Sequence, residues 1–185
     1  LNALNPEMGA ELLDWASELP FEDDVRCLTI SAAGDAFGAG ADLTQLSGDA
    51  TDTPTMRKLA SQLHDAVNHL HSAPVPIVTG VNGVAAGAGF GLAIMGDIVL
   101  ISDGARLEFA YPRLGLTGDG GSTFFLPRLV GLRRAKEIVL RDEPIGPEEA
   151  VDLGLASEVV PAEDLDGELR STAAELASGP TWAMG

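Results

Sequence analysis

The sequence predicts an α/β domain, and three observations predict it. Short apolar runs with strand character recur at residues 26–31, 75–81 and 97–102. Segments with apolar residues at helical spacing lie between and after them. Strands that alternate with helices along a chain favour an α/β arrangement.

The elements follow in order. Residues 6–19 carry Met8, Leu12, Leu13, Trp15 and Leu19 at helical spacing; Asn5 is the N-cap, Pro6 suits the first turn and Pro20 ends the helix. Residues 26–31 read as a strand. Residues 46–54, rich in Gly, Asp, Thr and Ser, read as a loop. Residues 55–72 read as an amphipathic helix with Leu59, Leu63, Ala66, Val67 and Leu70 on one side. Pro74 and Pro76 precede a buried strand at 77–81. A short helix of small residues is expected at 87–95 and a strand at 97–102. Residues 120–129 and 132–140 read as helical despite Pro127. A short helix at 148–153, a short strand at 158–160 and a last helix at 163–177 complete the chain.

Composition bounds the function. A chain of 185 residues suffices for one domain with a sizeable core. It holds 28 acidic residues against 11 basic ones, a formal net charge of −17, and its only lysines are Lys58 and Lys136. A nucleic-acid surface needs clustered Lys and Arg, so nucleic acid is not an expected partner. Abundant acid spread along the chain with scarce lysine points to a salt-rich, halophilic cytoplasm; an ordinary acidic mesophile protein is the alternative. No apolar run is long enough to span a membrane, and no membrane partner is expected. Cys27 is the only cysteine, so no intrachain disulfide forms. That fits a reducing, cytoplasmic compartment, and a buried, inert thiol is the expectation there.

Two glycine-rich turns carry the chemistry. "AFGAGAD" (36–42) and "VNGVAAGAG" (81–89) each follow a strand-like run and lead toward a helix. Small residues let a ligand approach the main chain closely, and a helix start leaves N–H groups without internal partners. Two such turns facing each other would supply two donors to one developing oxyanion. The glycines lack the G-x-G-x-x-G spacing, and no Walker lysine follows them, so nucleotide binding is not indicated. His64, His69 and His71 lack an acidic partner at metal spacing, and no metal site is expected. Ser122 lacks a partner histidine, which argues against a serine hydrolase. Glu108 and Arg113 could pair or line a pocket. Arg133 and Arg134 fit either phosphate contacts or a solvated helix start. Asp119, in "LTGDGGST", reads from the residues alone first as an N-cap of the following helix.

The segments "AFGAGADL", "PIVTGVNGVAAGAGFGLAIMGDIVL" and "LGLTGDGGSTFFLPRLVG", in this order and spacing, together with "IGPEEAVDLGLA" and the opening "LNALNPEM", resemble the enoyl-CoA hydratase/isomerase family, the crotonase superfamily. The resemblance covers essentially the whole chain. It implies a spiral of strand-strand-helix turns, one core domain over residues 1–185, and family strands before Leu1 and helices after Gly185. It implies an acyl-CoA thioester as substrate, with coenzyme A part of that substrate and no further cofactor, and a homotrimer or dimer of trimers. Carried over residue by residue, the oxyanion donors fall on the N–H groups of Ala41 and Ala88. Ala39, Asp42, Leu43, Gly87, Tyr111 and Leu116 fall at the substrate; Asp42 by itself reads as a cap or turn residue.

The family's hydratases use two glutamates, and those positions here hold Gly91 and Tyr111, which cannot do carboxylate chemistry. Members similar to "IGLxPDxGGT", among them enoyl-CoA isomerases and epoxyphenylacetyl-CoA isomerases, place a catalytic Asp where Asp119 stands, with Gly118 replacing a common proline. The resemblance therefore favours double-bond isomerisation with Asp119 as acid and base. Its alternatives are a hydratase-like activity, a dehalogenase or thioester hydrolase with Asp119 as nucleophile, or an inert coenzyme A-binding scaffold.

The charge reading makes one prediction. Self-repulsion at −17 loosens the fold at low salt. Raising ionic strength from 0.1 M to 1 M shortens the Debye length from about 10 Å to about 3 Å. The melting temperature is therefore expected to climb well into molar KCl. A value flat from roughly 0.1 M to 2 M, across which screening becomes nearly complete, refutes the halophilic reading.

Overall fold

The computed structural model describes residues 1–43, 53–180 and 183. Helix α1 (Pro6–Glu18) leads through a 3-10 turn at Leu19–Phe21 to strands β1 (Leu28–Ile30) and β2 (Ala36–Gly38). Next come α2 (Thr53–His71), β3 (Ile77–Val81), β4 (Val84–Ala86) and α3 (Ala88–Ile94), followed by β5 (Ile98–Ser102) and β6 (Arg106–Glu108). A 3-10 turn at Pro112–Leu114 precedes α4 (Ser122–Arg141), α5 (Pro147–Asp152), β7 (Glu158–Val160) and α6 (Leu165–Ser178). Of the loop expected at 46–54, residues 46–52 lie outside the described residues, and Thr53 and Pro54 already open α2.

Odd strands form one parallel sheet in the order β1-β3-β5-β7, and even strands form a second in the order β2-β4-β6. Each of the first three turns of the chain adds a strand to the first sheet, a strand to the second and then a helix, and the last adds β7 and α6. That is the expected strand-strand-helix spiral. The second sheet is not among the elements expected from the sequence: β2 and β4 fall inside the two glycine-rich turns, and β6 falls between expected elements. Three-residue strands made of Ala, Phe, Gly and Val are too short to show a period of two.

The four-stranded sheet is covered on both faces, which is why its strands are apolar throughout. Ile77, Val81, Val99 and Ile101 join the main core with α2 and α3. The alternate residues Val78 and Leu100 meet Leu165 and Leu169 of α6 on the other face. Asp97 pins the β3–β5 register: its carboxylate accepts from the Ile77 N–H at 2.8 Å and its own N–H donates back to the Ile77 carbonyl at 2.8 Å. Cys27 is half-buried instead of fully buried; burial, then the Asp97 charge, push its thiol up, which keeps it protonated.

Asn5 caps α1 as read, accepting from the Met8 N–H at 2.8 Å. The buried face of α1 differs from the expected one. Gly9 and Ala16 are buried, whereas Met8 and Trp15 are largely exposed, Trp15 at 47%. The helix crosses α2 so closely that a Cβ on Gly9 would lie 2.9 Å from Leu59 Cδ1. Small residues therefore mark the contact and larger ones flank it. The five expected core residues of α2 are all buried. Helix α4 breaks at Gly131 (φ 76°, ψ 154°), which divides it where the sequence suggested two helical segments.

Asp142 ends α4 in the left-handed region (φ 51°) and ties it to the segment before Tyr111. Its carboxylate accepts from the Ala110 N–H at 2.7 Å and from Arg113 Nε at 2.9 Å. Ala110 is itself left-handed, at φ 63°. Burial alone would raise the Asp142 carboxyl, but the hydrogen bonds from Arg113 and Ala110 outweigh it and hold it below the usual carboxylate value. A depressed folded value contributes stability above the ordinary carboxylate range, and that contribution is lost as pH falls through the folded value. Asp142→Asn, which tolerates the same backbone, is expected to cost about 1 kcal/mol near neutral pH. The difference from wild type should shrink in acid. Denaturant titrations at several pH values check this, and a pH-independent difference contradicts it.

Candidate active site

The spiral brings three turns together. The first follows β2, the second joins β4 to α3, and the third precedes α4. The first two touch through their backbones. Gly89 faces Gly38 so closely that a Cβ on Gly89 would strike the Gly38 carbonyl oxygen, and a Cβ on Gly87 would lie 3.5 Å from Gly40 Cα. The Gly40 carbonyl accepts from the Leu4 N–H at 2.7 Å, and the Asp42 N–H donates to the Leu4 carbonyl at 2.8 Å. These bonds leave the intervening Ala41 N–H outside the ladder. Ala88 opens α3, where the first N–H groups have no partner within the helix. Among the described residues, neither the Ala41 nor the Ala88 N–H donates to a backbone acceptor in a turn or loop. Ala88 does not adopt a positive φ, so an alanine fits there as well as a glycine.

The third turn packs on the second. Gly120 is placed so that a Cβ there would lie 3.7 Å from Ala88 Cα, and a Cβ on Gly91 would strike the Gly120 carbonyl oxygen. Gly118 is equally confined, with Phe109 Cζ 2.7 Å from a Cβ built there. A glycine at 118 thus serves close packing, and the turn is held from both sides.

Asp119 is not the side-chain cap of α4. Gly121 takes the N-cap position, without a side-chain cap bond. The Asp119 main-chain carbonyl, not its carboxylate, accepts from Ser122: from the N–H at 2.9 Å and from the hydroxyl at 2.6 Å. The carboxylate turns instead to Tyr111, whose hydroxyl donates to Asp119 Oδ1 at 2.5 Å. This corrects the cap reading; a serine hydroxyl three residues on supplies the local bond that the aspartate would otherwise make.

Tyr111 is 5% exposed. Its ring centroid lies 4.9 Å from that of Phe109, which meets Phe90 edge-on at 5.8 Å. Burial first, then the Asp119 charge and the hydrogen bond to it, push the phenol well above its ordinary value. Nothing in the sequence pattern paired these two residues; the one signal was a single tyrosine eight residues before the aspartate.

The remaining candidates divide. Gly87 lies beside Gly40 and the Tyr111 ring, with φ 55°, and its N–H donates to the Glu108 carbonyl at 3.1 Å. Ala39 donates its N–H to the Leu1 carbonyl at 3.1 Å. Leu43 and Leu116 are exposed apolar side chains on the flanks of the first and third turns. Glu108 and Arg113 pair at 3.0 Å, and Arg134 pairs with Glu137, while His71 packs edge-on against Phe124 and Phe125. An apolar groove of about 420 Å³ runs between α1, the ends of β1 and β2 and the start of α3, with Gly40 and Ala88 among its lining residues. Neither Asp119 nor Tyr111 lines it, so it is separate from the carboxylate side of the site.

This fold and these turns define the class. The chain matches the enoyl-CoA hydratase/isomerase family over residues 1–184 and belongs to it. It is 36% identical to the 1,2-epoxyphenylacetyl-CoA isomerase of Escherichia coli K12, over all of this chain and 71% of that protein. It is 31% identical to 4-chlorobenzoyl coenzyme A dehalogenase-2 of an Arthrobacter species, over all of this chain and 67% of that protein. Among solved structures it superposes on an enoyl-CoA hydratase from Bacillus anthracis with a TM-score of 0.90 at 28% identity, covering 97% of this chain and 69% of that one. An enoyl-CoA hydratase/isomerase from Mycobacterium paratuberculosis gives 0.89 at 29% identity, covering 98% and 72%. The protein is an acyl-CoA-processing enzyme of the crotonase superfamily.

The packing of Gly91 against Gly120 is open to test. Gly91→Ala forces the Asp119 turn outward and is expected to cost about 1–3 kcal/mol, the range for overpacking a tight contact. Gly104→Ala, where nothing lies within 4 Å of the new methyl, serves as the control. Equal stability of the two variants in chemical denaturation contradicts the close approach.

Proposed function

We propose that the protein isomerises the double bond of an enoyl-CoA. The observation that carries this reading is the position of Asp119: its carboxylate is held by Tyr111 on a turn packed against Ala88. The thioester oxygen sits between the Ala41 and Ala88 N–H groups. One Asp119 oxygen takes a proton from the carbon next to the carbonyl. The C–H electron pair moves into the new double bond and the carbonyl pair onto oxygen, forming an enolate. The same carboxyl returns the proton to the far carbon of the allylic system, and the oxygen pair falls back to restore the carbonyl. Each N–H stabilises the enolate by roughly 3 kcal/mol if aimed as in other oxyanion holes.

Hydration by paired carboxylates is disfavoured on this chain. The positions assigned by resemblance to the hydratase glutamates are Gly91 and Tyr111. The Gly120 carbonyl already fills the space that a side chain at 91 would need. The likeness to a dehalogenase supports a second reading, in which Asp119 attacks as a nucleophile. By family resemblance, the working enzyme is a trimer or dimer of trimers.

The test offers a 3-enoyl-CoA and crotonyl-CoA to the protein and follows the conjugated product by ultraviolet absorbance and mass spectrometry. Isomerisation is expected to outrun hydration, and efficient crotonyl-CoA hydration overturns the proposal. Asp119→Asn keeps the size and still accepts from Tyr111, so folding should hold while turnover falls roughly 10²-fold or more, the scale of a lost general base. Near-wild-type isomerisation by this variant removes Asp119 from the mechanism. An ester trapped on Asp119 favours the nucleophilic reading.

A further inference from the structure

We infer that Tyr111 is the positioning residue that decides which oxygen of Asp119 does the chemistry. The inference rests on the reading of Asp119 as the proton carrier and deepens it. A carboxylate on a glycine-rich turn has free rotation about its Cα–Cβ and Cβ–Cγ bonds, and a nearby helix start offers it N–H groups as competing partners. In this chain those options are closed. Ser122 bonds the Asp119 carbonyl twice, the N-cap position is a glycine, and the Tyr111 hydroxyl holds Oδ1 at 2.5 Å.

The phenol can hold it because its own ring is fixed. Phe109 packs against it, Phe90 backs Phe109, and Gly87 allows the ring to come within 4.0 Å of where a Cβ would be. The backbone on either side is anchored as well. Ala110 donates to Asp142, and the Tyr111 carbonyl accepts from the Leu114 and Leu116 N–H groups at 3.0 and 3.1 Å. Tyr111 therefore spans the site: its ring rests on Gly87, the residue before the Ala88 donor, and its hydroxyl ends on Asp119. With Oδ1 committed to the phenol, Oδ2 is the oxygen that exchanges the proton. The phenol neither loses nor gains a proton in the cycle; it donates throughout to the charged form and weakens its bond when the carboxyl is protonated. Its electrostatic neighbours are Asp119 and Ser122. Glu108, three residues earlier, is tied to Arg106 and Arg113.

The test is Tyr111→Phe in the full protein, with Asp119→Asn and the double variant, read by isomerisation kinetics from pH 5 to 9. Loss of a hydrogen bond to a charged group predicts a fall in kcat of about 10- to 100-fold, with KM little changed. The double variant should be no slower than Asp119→Asn alone. A purely structural role would lower stability and raise KM along with the fall in kcat, and that outcome overturns the inference. So does wild-type kcat in Tyr111→Phe alongside an inactive Asp119→Asn, which leaves the reading of Asp119 intact. An active Asp119→Asn removes that reading and this inference with it. Should Tyr111→Phe fail to fold, ultraviolet titration of Tyr111, the only tyrosine of these residues, replaces it. Asp119→Asn removes the neighbouring charge and should bring the phenol down, while burial still holds it above its ordinary value; a phenol that titrates identically in both proteins overturns the inference.

Discussion

Everything about the site depends on main chains that touch where side chains would normally hold them apart. Parallel pairing of β2, β4 and β6 lines up the ends of these strands, so the turns that leave them stack side by side. Stacking at this distance is possible only without Cβ atoms. Gly89 against Gly38 closes the first pair of turns, and Gly91 against Gly120 closes the second. Backbone N–H groups at such turns are placed by the sheets, not by rotatable side chains. Their direction is fixed before any ligand arrives, which is what electrostatic stabilisation of a developing charge requires.

The four-stranded sheet and the long helices were legible in the sequence for a simple reason: each is long enough, or buried enough, to leave a periodic or continuous apolar record. The helix α2 stripe of Leu59, Leu63, Ala66, Val67 and Leu70 is buried as its spacing demands. The second sheet was not legible, since its strands are three residues each, and β2 and β4 consist largely of the small residues of the glycine-rich turns. The α1 face was misread because a close helix crossing selects Gly9 and Ala16, which carry almost no hydrophobic signal. At the site, the glycine turns and Asp119 were visible as motif positions. The partner of Asp119 was not. Sequence spacing ranks a cap three residues from the helix as the obvious use of an aspartate, whereas the bond actually made runs back across a 3-10 turn to Tyr111. Such a bond is set by where the aromatic ring can be wedged, and that is a property of the packed core.

The charged groups behind the site divide into two sets with different duties. Arg113 joins Asp142 and Glu108 at 2.9 and 3.0 Å, and Arg106 joins Glu108 at 2.7 Å. Both arginines are about half exposed, so these pairs contribute modestly through charge alone. Their value lies in geometry, since they fix the left-handed Ala110 and the start of the Tyr111 turn. Among the described residues, no such cationic partner hydrogen-bonds Asp119. It is met by a neutral phenol instead, which orients the carboxylate through one hydrogen bond.

The same packing accounts for a choice between chemistries on one scaffold. A glutamate side chain at position 91 and the carbonyl of Gly120 compete for one volume. A chain that places a carboxylate at 91 must hold the third turn away from α3. A chain with glycine there can let the turn close, which packs Gly120, the residue after Asp119, against the helix that bears the Ala88 N–H. The second change goes with the first. Once the turn is closed, the residue at 111 is buried against Phe109, where an unpaired carboxylate would be costly, and an aromatic ring ending in one hydroxyl satisfies both the apolar wall and the aspartate. Glycine at 91 and tyrosine at 111 are thus coupled consequences of where the third turn sits, and under the proposed reading they leave Asp119, on the turn itself, as the carboxylate of the site.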